Sequence, residues 1–471
     1  MGTTEQPSSS QASVARAAIG YTAMVVLTVV AFFWVRSYGE TLSAPDPLVE
    51  RLTGVKGARA DLLARILFAL AAVIVVGQLL ARLFKRIDQP PVIGEVVAGI
   101  LLGPSLLGHD FSQKILPTEI APALGIIAQF GVILYMFVIG LELDPKRIKG
   151  RVHSTVATSH ASILAPFLLG AILALWLYPR YSSSDVSFTS FALFLGVAMS
   201  ITAFPVLARI LSDRKLARTE LGVIALSCAA TDDVTAWCLL ALVVGVAKAE
   251  VDSGFFVAIG AVAYIGLMIF LARPLLRRYL SSTHEGGVPR GLIVATFIAL
   301  LFSTMATELI GIHAIFGAFL LGVIIPHDSS LAHTLTRQLE SVVTILFLPA
   351  FFAYTGMRTR IDLVDSSTDW LVCALIIFVA TLGKFGGSYV AARLTGIQPR
   401  MAAALGALMN TRGLMELIVL NVGLDLQVIS PKIFSMMVIM ALVTTIMTGP
   451  ALKLFLRDRA GEEHAAAARA P

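Results

Sequence analysis

Charge is scarce in this sequence. Asp, Glu, Lys and Arg make up only 14% of its 471 residues, against roughly 25% in ordinary soluble domains. Hydrophobic residues reach 57% and the mean hydropathy is +0.84, so there is too little polar surface to coat a soluble particle of this size. That excludes secreted, disordered, collagenous and DNA-wrapping chains. Cysteine is nearly absent as well. Cys228, Cys238 and Cys373 are odd in number, fit no metal spacing and fall in apolar stretches, which predicts buried structural thiols. No P-loop, GxSxG, HExxH or CxxC pattern occurs, so neither enzyme chemistry nor a cofactor is expected. The formal charge of +6 is no nucleic-acid signal, because Lys and Arg gather in the cytoplasmic loops of membrane proteins.

Long apolar runs dominate what is present. About twenty apolar residues cross a bilayer as a helix. That ruler predicts fourteen spans: 20–38, 62–83, 92–107, 121–141, 154–177, 187–211, 219–247, 254–275, 290–307, 309–326, 339–357, 369–392, 401–423 and 431–456. The third is short and carries Gly94, Gly99 and Gly103, and little more than Glu308 separates the ninth from the tenth. Basic clusters fall on the side of residue 1: Arg82, Lys85 and Arg86; Lys146, Arg147, Lys149 and Arg151; Arg209, Arg214, Lys215 and Arg218; Arg273, Arg277 and Arg278. The asymmetry predicts an all-α polytopic membrane protein with both termini cytoplasmic. Residues 1–19 read as a disordered cytoplasmic terminus, 20–61 as a first helix and outer loop, and 457–471 as a short cytoplasmic tail without a fused regulatory domain. An alternative reading makes 20–35 the core of a signal peptide cut near Ala44.

Ionisable residues deep in a span are costly and mark substrate paths or proton relays. The strongest case is Thr231-Asp232-Asp233, in the middle of span 219–247. Two adjacent carboxylates at that depth cannot both be ionised without a compensating cation. They lie about 100° apart around a helix, so they address different partners. A carboxylate for which proton and metal ion compete is the minimal chemistry of cation/proton exchange. Lys384, the lysine deepest in a span, needs a buried carboxylate, and Asp232 and Asp233 are the candidates. Its alternative is to sit at a helix end and reach the headgroups. Arg412 and Glu416, four residues apart, form a predicted ion pair on one helix face. Glu95, Glu142 and Glu308 read as interfacial, and His160 and His313 as packed polar residues.

Two spans carry interruptions. Pro205 follows Met199-Ser200-Ile201-Thr202 and cannot continue a helix through that stretch, while Asn410-Thr411-Arg412-Gly413 puts a polar run mid-span. Broken helices at the bilayer midplane free carbonyls and helix-end dipoles for an ion site. Counted from span 62–83, the breaks fall in the fifth and twelfth spans. Two six-helix inverted repeats joined by one linker helix give that offset. The hydroxyls of Ser200, Thr202 and Thr231 join Asp232 and Asp233 as candidate ligands of a transiently bound monovalent cation.

The motifs QPPVIGEVVAGILLGPSLLG at 89–108, LYMFVIGLELD at 134–144, SITAFPVLARIL at 200–211, GIHAIFGAFLLGVIIP at 311–326 and LMNTRGLMELIVLNVGL at 408–424 carry a resemblance. The sequence resembles the monovalent cation/proton antiporter superfamily, in the branch holding bacterial sodium/proton antiporters and plant cation/proton exchangers, over about Leu80–Leu456. The resemblance implies repeats at 62–247 and 290–456, a linker helix at 254–275, and an extra amino-terminal helix at 20–38. It implies a homodimer in the inner (plasma) membrane, with two broken helices crossed beside Asp233. It also implies that Asp233 binds the ion, that Asp232 pairs with Lys384, and that exchange of Na⁺ or K⁺ for H⁺ is electrogenic. The plant exchangers commonly have Asn-Asp where this sequence has Asp-Asp. Rival readings are a K⁺ efflux pathway with channel-like behaviour, a non-transporting ion sensor, and an organic-cation exporter.

Overall fold

The computed structural model describes residues 9–42, 62–142, 152–217, 219–248, 254–281 and 288–467, and all regular structure among them is helical. The first helices are α1 (Ser9–Gly39), α2 (Leu62–Arg86), α3 (Pro91–Leu102), α4 (His109–Ile115), α5 (Ala121–Glu142) and α6 (Val152–Tyr181). Next come α7 (Phe188–Ser200), α8 (Phe204–Asp213), α9 (Glu220–Lys248), α10 (Gly254–Gly266), α11 (Arg273–Ser281), α12 (Arg290–Ile310) and α13 (Ala314–Ile324). The chain ends with α14 (Ser330–Val342), α15 (Leu348–Arg358), α16 (Ser367–Thr381), α17 (Gly387–Leu394), α18 (Pro399–Met409), α19 (Leu414–Asp425) and α20 (Pro431–Ala467). Wider π-turns at Leu267–Ala272, Val343–Phe347 and Leu382–Gly386 join α10 to α11, α14 to α15 and α16 to α17. Among the described residues eleven helical stretches are long and apolar enough to cross a membrane, or twelve if the α18–α19 pair, bent by 43°, counts as one span. The protein is a multi-pass membrane protein.

Several boundaries differ from those expected. Helix α1 begins at Ser9, inside the stretch read as disordered, because residues 9–19 hold Ala, Gln and Arg and no breaker. The expected span 92–107 is the 12-residue α3, which stops before Gly103 because Pro104 disfavours helix at the residue preceding it. The ninth and tenth spans are parted at Gly311–His313, where Gly311 and His313 have φ of 99° and 78°, and not at Glu308. Glu308 lies inside α12, and its carboxylate accepts from the Ala314 N–H at 2.9 Å. Residues 457–467 of the expected tail continue α20. Cys228 and Cys373 are buried, but Cys238 is exposed on the outside of the bundle. Glu95 is half-buried within α3 rather than interfacial, facing Gly77 of α2.

The helices associate in two groups: α2, α3, α5 and α12–α15 form one, and α6–α9 with α16–α20 form the other. Helix α10 runs between them against α9 and α12, and α1 lies on α6 and α7, with the Phe32 and Phe167 rings 5.7 Å apart. Glycine sets the closest crossing in the first group. A Cβ on Gly356 of α15 would sit 1.9 Å from the Gly99 carbonyl oxygen of α3. Polar links tie the two groups at both ends. At one end Lys453 Nζ meets Asp88 Oδ2 at 2.6 Å and Gln89 Nε2 donates to the Ile446 oxygen at 3.2 Å. At the other end Arg358 meets Asp425 at 2.7 Å and donates to Asn421 Oδ1 at 3.1 Å.

Candidate functional site

The second group holds the polar centre. Helix α7 ends at Ser200, residues 201–203 are extended, and α8 starts at Phe204 with Pro205 in its first turn, where a missing N–H costs nothing. The partner break lies at 410–413, between α18 and α19. The two breaks meet: the Ala203 N–H donates to the Thr411 oxygen at 2.9 Å, and Thr202 Oγ1 lies 3.2 Å from the Met409 oxygen.

Asp232 sits beside this junction with 0% exposure. Ser159 donates to its Oδ1 at 2.7 Å, and Ser162 and Thr202 donate to its Oδ2 at 2.6 and 2.9 Å. Lys384 Nζ reaches the same Oδ2 at 3.1 Å, with neither side chain exposed. The lysine therefore does not extend to the headgroups. Its second bond, 2.5 Å long, goes to the Ser200 carbonyl. Two features aim it there. It lies in the π-turn Leu382–Gly386, which offsets one residue from the helical register. Gly383 lets that turn press against α6, since a Cβ there would lie 2.6 Å from Pro166 Cα.

Asp233 is built differently. It is 1% exposed, yet neither carboxylate oxygen has a hydrogen-bond partner among the described residues. Adjacent carboxylates on one helix thus occupy opposite situations, one saturated by four protein donors and one with none. The break at 201–203 reaches Asp232 through Thr202.

Two candidate hydroxyls do not reach the aspartates. The Thr231 hydroxyl donates to the Ser227 carbonyl and that of Ser200 to the Gly196 and Ile163 carbonyls, so neither faces a carboxylate. Bonding to the carbonyl four residues back is the usual outcome for a hydroxyl inside an apolar helix. Arg412 pairs with Glu416 at 2.9 Å, and its guanidinium also donates to the Ala198 and Met199 carbonyls at 3.0 and 2.6 Å. Arg412 and Lys384 together cap the last three carbonyls of α7, which were expected to face an ion. Asn410 and Thr411 are buried at the junction, and Asn410 Oδ1 has no partner among the described residues. Ser159 and Ser162 were missed in the sequence. Their signal is two hydroxyls three residues apart in an apolar span, the second four residues ahead of Pro166, which lies inside the continuous helix α6.

A family model described as the sodium/hydrogen exchanger transmembrane domain matches residues 69–458. The chain belongs to that family. Its members are transporters, not enzymes, in line with the superfamily resemblance carried by the motifs. The chain is 45% identical over 394 residues to the Na(+)/H(+) antiporter NhaS4 of Synechocystis sp., covering 82% of this chain and 96% of that one. It is 38% identical to cation/H(+) antiporter 17 of Arabidopsis thaliana over 87% of this chain, and 34% identical to K(+)/H(+) antiporter 1 of Saccharomyces cerevisiae over 83%. It spans only 51% and 46% of the lengths of those two exchangers. The sodium proton antiporter MjNhaP1 of Methanocaldococcus jannaschii shares the fold, with a TM-score of 0.59 at 16% identity over 84% of this chain and 97% of that one.

Proposed function

We propose that this protein exchanges a monovalent cation, Na⁺ or K⁺, for H⁺ by alternating access, with Asp233 holding the proton and the cation in turn. The observation that carries the reading is the contrast within the aspartate pair. Asp232 is satisfied by Ser159, Ser162, Thr202 and Lys384, whereas among the described residues no donor reaches the buried carboxylate of Asp233. A buried carboxylate without donors must take up a proton or a cation. Relatives named as Na(+)/H(+) and K(+)/H(+) antiporters support the same reaction.

Exchange is electrogenic in this reading, because the Asp232–Lys384 pair places a second ionisable couple beside Asp233. The first helix group serves as the fixed dimerising panel of a homodimer, and the second as the moving core. The breaks at 201–203 and 410–413 occupy equivalent places in repeats 62–247 and 290–456. The pairing of α3 with α15 mirrors that of α5 with α13, as inverted repeats require. Counting α3, α13 and the α18–α19 pair as crossings gives fourteen spans, with both termini on the cytoplasmic side of the inner (plasma) membrane.

The test is flux in proteoliposomes, with Na⁺, K⁺, Li⁺ and Rb⁺ each applied against an imposed pH gradient. Saturable, reversible, proton-coupled flux is expected. Cation flux without proton movement would replace exchange with a channel-like pathway, and absence of flux would favour a sensor.

A further inference from the structure

Trp237 lies four residues after Asp233 and therefore on the same face of α9. It is 3% exposed, and its indole N–H is another buried polar group without a hydrogen-bond partner among the described residues. The ring is held in place by Phe319 of α13, across the boundary between the two helix groups, with centroids 6.3 Å apart. One helix face thus presents two carboxylate oxygens and one N–H that no described residue pairs. The next question is what completes the shell of a cation at Asp233. The carboxylate supplies at most two ligand atoms. The broken-helix carbonyls of Ala198, Met199 and Ser200 already accept from Arg412 and Lys384, and the hydroxyls of Ser159, Ser162 and Thr202 serve Asp232. With these groups engaged, water is the readiest source of the remainder. An indole N–H is donor-only, so it repels a bare cation but bonds the oxygen of a water that the cation carries.

We propose that Trp237 is a cation-binding residue of the exchange site, its indole N–H donating to a water of the cation held by Asp233, so that the ion is bound partly hydrated. The proposal rests on Asp233 being that site. It also assigns a reporter, because the other three tryptophans, Trp34, Trp176 and Trp370, are 71%, 37% and 48% exposed. Substituting those three by Phe leaves Trp237 as the sole tryptophan, read by excitation at the red edge where tyrosine does not absorb, in a chain whose polar centre is untouched.

That chain, in liposomes, is titrated with NaCl and with KCl against choline chloride at constant ionic strength. A saturable change in Trp237 emission is expected, and it disappears when Asp233→Asn is added. In the otherwise native chain, Trp237→Phe should weaken the apparent cation affinity in flux about three- to tenfold. Trp237→His, which retains a ring N–H, should recover part of that loss. Emission that ignores saturating cation while the protein exchanges would overturn the proposal, as would a Trp237→Phe protein of native affinity. Should Trp237→Phe fail to fold, the emission titration decides alone. Flux in Asp233→Asn is read separately: if it persists, the exchange site itself is misassigned, whatever Trp237 does.

Discussion

Replacing Asp232 by Asn removes the carboxylate that pairs with the Lys384 ammonium, which has 0% of its side chain exposed, and leaves it the Ser200 carbonyl. Removing one member of a buried pair strands the other charge and costs about 3 kcal/mol or more. Removing both strands nothing. Asp232→Asn and Lys384→Gln should therefore each lower the melting temperature more than additivity with the double variant allows, with a coupling of about 1–3 kcal/mol. Melting of the four proteins in detergent measures it, and additive shifts would show that the contact carries no energy. The charges of this centre were legible in the sequence because an ionisable residue stands out in an apolar span. Its hydroxyls were legible only in part, through Thr202, which donates to Asp232. The sequence singles out Ser200 and Thr231 but not Ser159 and Ser162, although any of the four can bond its own helix, and only tertiary placement turns Ser159 and Ser162 onto Asp232. Trp237 was silent for a related reason, because a buried aromatic reads as core.

At the scale of the helix, the break at 201–203 is held by the Ala203–Thr411 bond and by Pro205, whose ring would clash with the Ile201 carbonyl in a continuous helix. Pro205→Ala should let the helix extend, pulling the Ser200 carbonyl from Lys384 and weakening apparent cation affinity more than it lowers expression. Unchanged affinity with collapsed expression would make the break a packing feature alone. Gly383→Ala tests the approach of α16–α17 to α6. Its Cβ would lie 2.6 Å from Pro166 Cα, so the helices must separate, at about 1–3 kcal/mol of stability. Exchange should fall with it. Native melting and native exchange would show that the turn around Lys384 can shift freely. Both breaks were legible from Pro205 and from the polar run at 410–413. The parting of α12 from α13 was assigned to Glu308, because charge is more conspicuous than the Gly311–His313 turn, whose positive φ values no composition reveals.

Across the whole molecule, alternating access requires the two helix groups to separate at one end at a time. Their links include Asp88 with Lys453 at one end and Arg358 with Asp425 at the other. The Lys453 hydrogen bond and charge, with a further contribution from Arg214, hold the Asp88 carboxyl below the usual aspartate range. For a depressed carboxylate, the stabilisation is present above the ordinary value of about 3.9 and is lost only as pH falls through the folded value. Asp88→Asn should therefore leave the shape of the flux–pH profile unchanged between about pH 6 and 9. A shifted profile would show that this link titrates in the working range. The central claim is that proton and cation share one carboxylate, and flux through Asp233→Asn in proteoliposomes tests it most directly. The amide matches the carboxylate in size, so a folded protein with native melting is expected, but it can neither exchange a proton nor supply charge. Exchange of Na⁺, K⁺, Li⁺ and Rb⁺ should be abolished at every pH between about 6 and 9, and robust exchange of any of these cations by the folded variant would contradict the account.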